Sequence, residues 1–331
     1  MGEQGSNPAV AVLIVTYNSA DDLQDCLASV AALDYQPLEV VIVDCASHDA
    51  SVHIAQTADL GAIPKTLVPL GENLGFSGGM NTALAHTTAP WVLLLNPDAR
   101  PEPQYLQRLL RNAGTLDSVG GVTGRLVRPK AYGVRHLDAC GMVLTTTWRH
   151  LDRGSGEIDR GQLGQLEEVF GATGAASLFS RAALDDVALD GEVFDRDFHS
   201  YREDAELAFR LGERGWRILY EPSAVCEHRR RVVPDNRASL PSFINYHSLK
   251  NRYLLRAYHQ SAANFCRTFL PTLWRDVLAL GYVLLRERTS LPAYAWLWRH
   301  RRRIWQRRRR IQGRRTASID HWFHRASKPL E

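Results

Sequence analysis

Two hydrophobic periodicities alternate along roughly the first hundred residues. Residues 9–16 (AVAVLIVT) and 38–44 (LEVVIVD) are continuous apolar runs, which are typical of strands buried on both faces. Between them, apolar residues recur at helical spacing from Leu23 to Val30. The pattern continues with a helix near 49–58, a weaker strand at 66–70, a helix that ends near His86 and a strand at 91–95. This alternation predicts an α/β fold with a parallel sheet and right-handed crossovers.

The second half is less regular, and its last part is helical. The sequence predicts a strand at 119–127, a polar, glycine-rich insertion at 130–167, a broken apolar run at 168–181, a helix from about 202 to 213 and a strand at 216–220. From about 241 the pattern is amphipathic and rich in Trp, Tyr and Arg. We therefore predict one domain over 1–240, with halves at about 9–100 and 119–228, and a helical region over 241–331.

Polar side chains follow three of the predicted strands. The carboxyl ends of parallel strands form the ligand-binding edge of an open α/β sheet, so we expect these side chains to share one rim. Asp98 can hold a metal ion or a hydroxyl group there, or cap a turn, and Asp44 can bind a base or ribose, or cap its own turn. The rim residues are Thr16, Tyr17, Asn18, Asp44, Asn96 and Asp98.

The segment 73–81, NLGFSGGMN, lies between the third predicted strand and a predicted helix over 80–86. It lacks the lysine of a phosphate-binding P-loop, and its glycines do not have the spacing of a dinucleotide-binding turn. Gly78 and Gly79 beside a helix start would let backbone N–H groups approach an anion closely. On spacing alone, a plain turn and a ligand-binding loop remain equally open.

Two acidic residues begin the helix predicted in the second half, and a histidine follows the strand after it. Glu203 and Asp204 suit a helix N-terminus, but Asp204 shares a face with apolar residues, where an unpartnered carboxylate is costly. Glu206 is predicted to pair with Arg210, four residues on. His228 can be a half-buried structural histidine or a ligand.

The net charge of +4 conceals an uneven distribution. Residues 299–315, which we call the arginine-rich segment, contain ten arginines and no acid, so the rest of the chain carries −6, the +4 less the +10 of this segment. Such a segment can bind a nucleic-acid backbone, contact an anionic membrane or remain a solvated charge run. We prefer a membrane surface, because several tryptophans lie near the arginines.

Cysteines and apolar segments set further limits. The five cysteines are scattered, without a CxxC pair or a Cys/His cluster, which argues against a disulfide framework and a zinc knuckle and favours a reduced, cytosolic setting. We find no signal-peptide pattern at the N-terminus. We expect no transmembrane helix, because the most apolar C-terminal stretch, 277–285, has nine residues, about half a bilayer span.

Seven short motifs together resemble those of family 2 glycosyltransferases, most closely the rhamnosyltransferase-like branch. In chain order they are VTYN, VDCASHD, NLGFSGGMN, LLLNPDA, GATGAASLFSR, YREDAEL and His228, and the resemblance covers about 9–252. Two motifs depart from the family pattern. VDCAS replaces VDN(A/G)S, and Asn-Pro-Asp replaces a full Asp-x-Asp, which leaves one acid there for a metal.

The resemblance implies a GT-A type nucleotide-diphospho-sugar transferase fold, with a Rossmann-like, mostly parallel sheet and C-terminal amphipathic helices, and it assigns roles to named residues. Asp98 would hold Mg²⁺ or Mn²⁺ on the donor diphosphate, with His228 as a further metal or diphosphate ligand. Asp204 would be the general base that activates the acceptor hydroxyl for inversion in one displacement. The donor would be bound by Thr16, Tyr17, Asn18, Asp44, Asn73, Gly75, Phe76, Asn81 and Asn96, and the acceptor side would be lined by Gly174, Ala175 and Glu203.

From this resemblance we predict an inverting glycosyltransferase of cell-surface polysaccharide synthesis, with a donor half at 9–100 and an acceptor half at 119–228. Rhamnose from dTDP-rhamnose is the first choice of sugar, and a saccharide or lipid-linked saccharide is the acceptor. The alternatives are another donor such as a UDP-hexose, a non-catalytic nucleotide-sugar binder, and a nucleic-acid binder that uses the arginines. We expect a cytoplasmic protein held peripherally at the inner face of the plasma membrane by its C-terminal region.

Overall fold

The computed structural model describes residues 7–114, 116–130, 133–230 and 241–329. The strands are β1 (Val10–Thr16), β2 (Leu38–Asp44), β3 (Lys65–Pro69), β4 (Trp91–Leu95), β5 (Ala99–Pro101), β6 (Val119–Val127), β7 (Leu137–Ala139), β8 (Met142–Leu144), β9 (His150–Asp152), β10 (Glu167–Val169), β11 (Ala176–Ser180), β12 (Arg217–His228) and β13 (Lys328–Pro329). The α-helices are α1 (Ala20–Ala31), α2 (Ser51–Thr57), α3 (Gly75–Ala85), α4 (Tyr105–Ala113), α5 (Arg181–Val187), α6 (Glu203–Glu213), α7 (Ser242–His259), α8 (Ala262–Arg286), α9 (Leu291–Arg299) and α10 (Arg301–Gly313). Two short 3-10 helices lie at Arg288–Ser290 and Asp320–His324.

One large mixed sheet organises the chain. Its strands follow the order β13-β10-β12-β6-β11-β4-β1-β2-β3, with β5 beside β12 and β7 beside β6, while β8 and β9 pair separately. The four strands β3, β2, β1 and β4 are parallel, as predicted, and Thr16 of β1 lies opposite Asp44 of β2. The apolar runs of β1, β2 and β4 are buried because helices cover the sheet, which is why the sequence shows no polar alternation there, whereas the edge strand β3 is only partly buried.

The sheet also contains antiparallel strands, which agrees with the predicted mostly parallel sheet of a GT-A type fold. Strand β11 runs antiparallel to both β4 and β6, so it begins where β4 ends, with Ala176 opposite Leu95. Strand β12 is parallel to β6 and extends past the predicted 216–220 to His228, because it pairs with β6 beyond a bulge and finally with β5. The carboxyl ends of β1, β2, β4 and β12 and the start of β11 therefore meet at one edge.

The glycines of the segment 73–81 serve packing. Helix α3 begins at Gly75, so Gly78 and Gly79 lie inside the helix and not in a loop before it. A Cβ atom on Gly79 would lie 2.6 Å from a methyl group of Val15, so this glycine lets α3 pack closely on β1. Gly75 has a φ of +67°, in the left-handed region that favours glycine. The expectation that Gly78 and Gly79 let a ligand approach the backbone is therefore replaced by a packing role.

The C-terminal helices share a core with the sheet domain. Leu254 and Tyr258 of α7 and Ile304 and Ile311 of α10 belong to the same buried cluster as Phe209 of α6. The helical region over 241–331 thus covers part of the sheet domain along its described length. The predicted domain boundary at 240 lies outside the described residues.

The arginine-rich segment forms ion pairs with acidic residues of the sheet domain. Arg307 and Asp195 make a buried pair, with the Nε atom 2.9 Å from the carboxylate. The other pairs are Arg303–Asp197, Arg310–Asp190, Arg314–Asp186 and Arg315–Glu213. Five of the ten arginines therefore have carboxylate partners within the chain. These ion pairs hold the arginine-rich segment against the sheet domain of the same chain. From the sequence we expect this segment to contact a membrane surface instead.

Helix α8 exposes a wide apolar face. Leu270, Trp274 and Leu285 are 73%, 67% and 78% exposed, and eight further large apolar side chains of this helix are also exposed: Phe265, Phe269, Leu273, Val277, Leu278, Leu280, Tyr282 and Leu284. On its other face, Asp276 binds Arg252 and Arg256 of α7 at 2.7 and 2.6 Å. Helix α8 is thus anchored on one side and apolar on the other.

The same helix bears on the expectation that the chain has no transmembrane helix. By length and composition, the 25 residues of α8 are able to cross a membrane, with a mean hydropathy of 1.2 and 17% of the apolar window buried. The apolar stretch 277–285 is only part of this helix, which begins at Ala262, so the length of that stretch underestimates the span. Length and composition do not distinguish a spanning helix from one that lies along a membrane surface or packs on protein.

Candidate active site

A cavity of about 600 Å³ opens at the edge where the strand ends meet. Eight residues singled out in the sequence line it: Phe76, Asn96, Asp98, Gly174, Ala175, Glu203, Asp204 and His228. The antiparallel start of β11 places Ala175 beside the end of β4, where the N–H of Asn96 donates to the Ala175 carbonyl at 2.8 Å. The candidate base and the candidate metal acid therefore share one cavity.

Asp204 lies in the first turn of α6, and backbone donors hold its carboxylate. One oxygen accepts a hydrogen bond from the N–H of Gly174 (3.2 Å) and the other from the N–H of Ala205 (2.7 Å). Burial raises the pKa of Asp204 to about 6, helped by the charge of Asp152 and opposed by the backbone hydrogen bonds. A carboxylate that is more basic than usual, yet ionised at neutral pH, is suited to accept a proton.

Glu203 presents a second carboxyl group to the same cavity. Burial, and then the charge of Asp204, raise the pKa of Glu203 well above its usual value. Its Oε2 atom has no hydrogen-bond partner among the residues the structure describes. A buried carboxyl oxygen without a partner can accept a hydrogen bond from a sugar hydroxyl.

Asp98 and His228 lie against each other because β12 pairs with β5, which places His228 opposite Ala99. The Nε2 atom of His228 is 3.3 Å from Asp98, and its Nδ1 atom is 2.7 Å from Asp138. Burial alone would lower the pKa of His228, but its hydrogen bonds to Asp138 and Asp98 raise it to about 9. Asp138 reaches this position because β7 pairs with the end of β6.

These side chains fit a divalent cation that is bound together with a diphosphate. Asp98 offers a carboxylate oxygen, and His228 would offer its Nε2 atom after losing the proton that faces Asp98, because a histidine binds a metal as the neutral imidazole. Asp138 holds the far side of the ring, as carboxylates commonly do behind metal-binding histidines. Within the described ranges, no group of three or more His, Cys, Asp or Glu side chains could hold a metal ion. The other ligands of Mg²⁺ or Mn²⁺ would therefore be phosphate oxygens and water.

The predicted nucleoside-binding residues lie at the same sheet edge. Thr16 and Asp44 are buried, and neither Thr16 Oγ1 nor Asp44 Oδ2 has a hydrogen-bond partner in the part of the chain described. Ser47 fixes this region, because its N–H donates to the other oxygen of Asp44 and its hydroxyl accepts from the N–H of Asn18, both at 2.9 Å. Tyr17 is 46% exposed. Buried oxygens without partners make Thr16 and Asp44 candidates for ligand contact.

The four residues of the predicted donor loop have different roles in the structure. Phe76 lines the cavity. Asn73 accepts a hydrogen bond from the N–H of Gly75 at 2.8 Å, which stabilises the start of α3. The amide of Asn81 donates to the carbonyl of Phe194 at 2.7 Å and accepts from the Phe194 N–H at 2.9 Å. Asn81 therefore supports a neighbouring loop, and its assignment as a donor contact stays a prediction.

Sequence reasoning missed several charged residues of the cavity. They are Arg149, His150, Asp152, Arg202 and Arg230. Arg202 directly precedes Glu203, and Arg230 lies two residues after His228. Their closeness in sequence to two candidate site residues was a signal that they belong to the cavity. Asp152 gave none, because only the pairing of β8 with β9 in the glycine-rich insertion brings it to Arg230.

Known proteins similar to this chain transfer sugars. Residues 11–188, more than half of the chain, match the family model described as Glycosyl transferase family 2. The N-acetylglucosaminyl-diphospho-decaprenol L-rhamnosyltransferase of Mycobacterium tuberculosis is 28% identical over 241 residues, which cover 66% of this chain and 75% of that protein. The poly-beta-1,6-N-acetyl-D-glucosamine synthase of Staphylococcus aureus is 27% identical over 224 residues, 66% of this chain and 49% of that protein.

Solved structures share the fold. TarS of S. aureus in complex with UDP-GlcNAc superposes with a TM-score of 0.54 at 17% identity, over 86% of this chain and 79% of that chain. GalNAc-T7 with UDP, GalNAc and Mn²⁺ superposes with a TM-score of 0.59 at 12% identity, over 77% of this chain and 48% of that chain. At such identities the likeness concerns the fold, and it confirms the predicted GT-A type architecture.

Proposed function

The chain belongs to glycosyl transferase family 2 and is a nucleotide-sugar glycosyltransferase, and we propose that it transfers rhamnose from dTDP-rhamnose, with inversion, to a lipid-linked saccharide. The observation that carries this proposal is the single cavity that Asp204 shares with Asp98 and His228. A base for the acceptor and ligands for the donor diphosphate are thereby available to one reacting sugar.

Asp204 would act as the base of a single displacement. The acceptor oxygen forms a bond to the anomeric carbon, the bond from that carbon to the diphosphate oxygen breaks, and the hydroxyl proton passes to Asp204. Attack on the face opposite the leaving group inverts the configuration, and one base suffices. Glu203 would orient the acceptor through a hydrogen bond at its unpartnered Oε2 atom. A Cβ on Gly174 would lie 3.1 Å from Phe76, so this glycine lets Phe76 pack closely against the cavity wall on the acceptor side.

Asp98 and His228 would hold the divalent metal, with Asp138 fixing the imidazole. A bound metal ion supplies positive charge that stabilises the departing diphosphate. Arg230 lines the same cavity and adds a fixed positive charge beside His228. Its Nε atom lies 3.2 Å from Asp138, the carboxylate that also binds His228.

Rhamnose as the sugar rests on the similarity to the mycobacterial rhamnosyltransferase, whose name also gives a lipid-diphosphate acceptor. The staphylococcal synthase, by its name, works on N-acetylglucosamine. A UDP-linked hexosamine or hexose is therefore the second candidate donor. Both relatives support a role in building cell-surface polysaccharide.

We place the membrane contact on helix α8. Its exposed apolar face, with Trp274 and Tyr282 among its members, suits the headgroup boundary of a bilayer, whereas half of the arginines are paired inside the chain. Replacing Leu270 and Leu285 together by glutamate should abolish sedimentation with anionic vesicles. Unchanged sedimentation would remove α8 from this role.

Donor binding gives the most direct test of the proposal. We expect dTDP-rhamnose to raise the melting temperature most among dTDP-rhamnose, UDP-glucose, UDP-GlcNAc and GDP-mannose, with Mn²⁺ present. Asp98→Asn should remove most of that shift, while Asp185→Asn, a surface carboxylate that is 63% exposed, should leave it unchanged. A larger shift with a UDP-sugar would overturn rhamnose as the sugar, and no shift with any donor would overturn the proposed donor site.

A further inference from the structure

Helix α7 contacts the segment before Glu203 and Asp204 through one buried side chain. Asn251 lies in α7 and is 0% exposed. We propose that Asn251 is a positioning residue, which sets the place of Asp204 by holding residues 198–202, which we call the pre-helix loop. The inference rests on the proposed function, because it takes Asp204 as the base. It makes the C-terminal helical region a part of the catalytic arrangement.

The amide nitrogen of Asn251 binds three carbonyl groups of the pre-helix loop. Its Nδ2 atom donates to the carbonyls of Phe198 at 2.8 Å, Ser200 at 2.9 Å and Tyr201 at 2.7 Å. An amide nitrogen carries two N–H groups, so one of them is shared between two carbonyls. Because three acceptors face the amide, its nitrogen and not its oxygen must point to the loop. One side chain of α7 therefore fixes most of the loop.

The backbone of the pre-helix loop needs such support. His199, Tyr201 and Arg202 have φ angles of +61°, +71° and +72°. This left-handed region is unfavourable for residues other than glycine, and they stay in it only where surrounding contacts hold them. Arg202 directly precedes α6, and its carbonyl accepts a hydrogen bond from the N–H of Glu206 at 2.9 Å. A loop that relaxed toward ordinary φ angles would therefore shift the start of α6 and the base that it carries.

The pre-helix loop is also bonded to the start of α3, on the donor side of the cavity. The carbonyl of His199 accepts from the N–H of Ser77 at 2.9 Å, and the hydroxyl of Ser200 accepts from the N–H of Phe76 at 3.2 Å. A Cβ atom on Gly75 would lie 2.5 Å from the carbonyl oxygen of His199, so the loop and α3 are in close contact. The loop is thus held between α3 and α7, and three of its residues line the cavity.

The amide of Asn251 is costly to bury, which fits a role beyond packing. Its Oδ1 atom is buried and has no hydrogen-bond partner within the described ranges of the chain. A buried acceptor without a partner loses its hydration without compensation. The hydrogen bonds of the nitrogen to the pre-helix loop are therefore the reason to keep an amide at this position.

The first test separates turnover from donor binding. Release of nucleoside diphosphate from dTDP-rhamnose with Mn²⁺, with water as the acceptor, measures both. Asn251→Ala should lower kcat about 10²-fold and change KM for the donor less than about twofold, because misplacing the base slows the reaction without removing a donor contact. Leu254→Ala is the matched control on α7, since Leu254 is fully buried in the shared core and makes no contact with reacting groups. Its kcat should stay near wild type although the fold is destabilised, and equal kcat values in the two variants would overturn the inference.

The second test asks whether Asn251 acts through Asp204. In the Asp204→Asn background, Asn251→Ala should lower kcat by less than about twofold more, because no base remains to be displaced. The same ~10²-fold loss in both backgrounds would show an effect elsewhere and overturn the inference. Asn251→Asp keeps the volume of the side chain but replaces the nitrogen donors, so it should also lower kcat if the alanine variant does not fold. A wild-type kcat in Asn251→Asp would count against the inference.

Hydrogen exchange tests the pre-helix loop without any measurement of activity. In Asn251→Ala, amides of 198–206 and those of Phe76 and Ser77, which are bonded to the loop, should exchange faster than in Leu254→Ala. Equal exchange at these amides would overturn the inference whether or not a donor binds. Faster exchange in a protein that binds and cleaves no nucleotide sugar would contradict the proposed function alone.

Discussion

The arginine-rich segment and the ligand edge of the sheet are both dense in polar side chains, yet the fold uses them in opposite ways. Five arginines of the segment meet carboxylates of the same chain, including the buried pair Arg307–Asp195. At the sheet edge, Thr16, Asp44 and Glu203 keep buried oxygens that have no hydrogen-bond partner in the described part of the chain. Arg307 and Arg315 of the segment also have buried nitrogens without a hydrogen bond, but each is ion-paired with a carboxylate, whereas Asp44 and Glu203 make no ion pair in the described part of the chain. The comparison teaches that ion pairing, and not charge density, separates scaffold from binding site here.

The physical basis is the cost of burying a polar group. A buried group without a partner loses its hydration without compensation, so it is retained in a fold mainly where a ligand supplies the missing contact. A buried ion pair is already compensated and needs nothing from outside. Substitutions should therefore impair chemistry at the sheet edge and stability in the arginine-rich segment.

The largest expected effect is at the sheet edge. Asp204→Asn should lower the transfer rate by about 10²- to 10⁴-fold, because the amide cannot take the acceptor proton. Its melting temperature should stay close to wild type, since asparagine can still accept the Gly174 N–H. Asp185→Asn, on an exposed carboxylate, is the control and should transfer at the wild-type rate. Near-normal transfer by a folded Asp204→Asn protein would refute the assigned base.

The arginine-rich segment offers an internal comparison of buried and exposed pairs. Arg307→Gln leaves Asp195 buried without its cation and should lower the free energy of unfolding by about 3 kcal/mol. Arg310→Gln, in a pair whose side chains are 57% and 61% exposed, should cost at most ~1 kcal/mol. Denaturation in urea measures both. Similar losses for the two variants would show that burial does not govern this interface.

Asp138 joins the two kinds of region, because it is a buried, paired carboxylate that serves the site. Asp138→Asn should lower the affinity for Mn²⁺, measured with a nucleoside diphosphate present by electron paramagnetic resonance of free Mn²⁺, by about 10- to 100-fold. Asp159→Asn is a matched control in the same insertion, since Asp159 pairs with Arg125 at 3.0 Å and lies outside the cavity. Equal affinities in the two variants would mean that Asp138 does not position His228.

The smallest effect concerns pH. With the pKa of Asp204 at about 6, the ionised base is lost as the pH falls, so kcat/KM should drop about tenfold per pH unit below that value. The carboxyl group of Asp204 interacts electrostatically with three charged or titratable neighbours, which are Glu203, Asp152 and Arg230. Asp152→Asn removes a negative charge that raises the pKa of Asp204, so the acid limb should move to lower pH. A profile that is flat down to pH 5 would exclude Asp204 as the titrating base.

Much of the central sheet was predictable because its signals are local. Strands buried on both faces show as continuous apolar runs, and β2, β4 and β6 begin and end where the sequence predicted. Asp98 directly follows such a strand, so its position at the sheet edge needs no knowledge of distant residues. The Glu206–Arg210 pair is confirmed at 2.5 Å because helical spacing fixes it, although it is buried rather than exposed.

The rest depends on contacts between residues far apart in the chain. Local periodicity does not show which distant segments come into contact. Three such contacts are the antiparallel pairing of β11 with β4, the hydrogen bond between Asp138 and His228, and the packing of the arginine-rich segment on Asp195. By itself, the sequence determined the strand–helix alternation and the residues at strand ends, because these follow from short-range geometry. Only the tertiary structure decided which polar groups are paired and which remain for a ligand, because burial and pairing are properties of the packed chain.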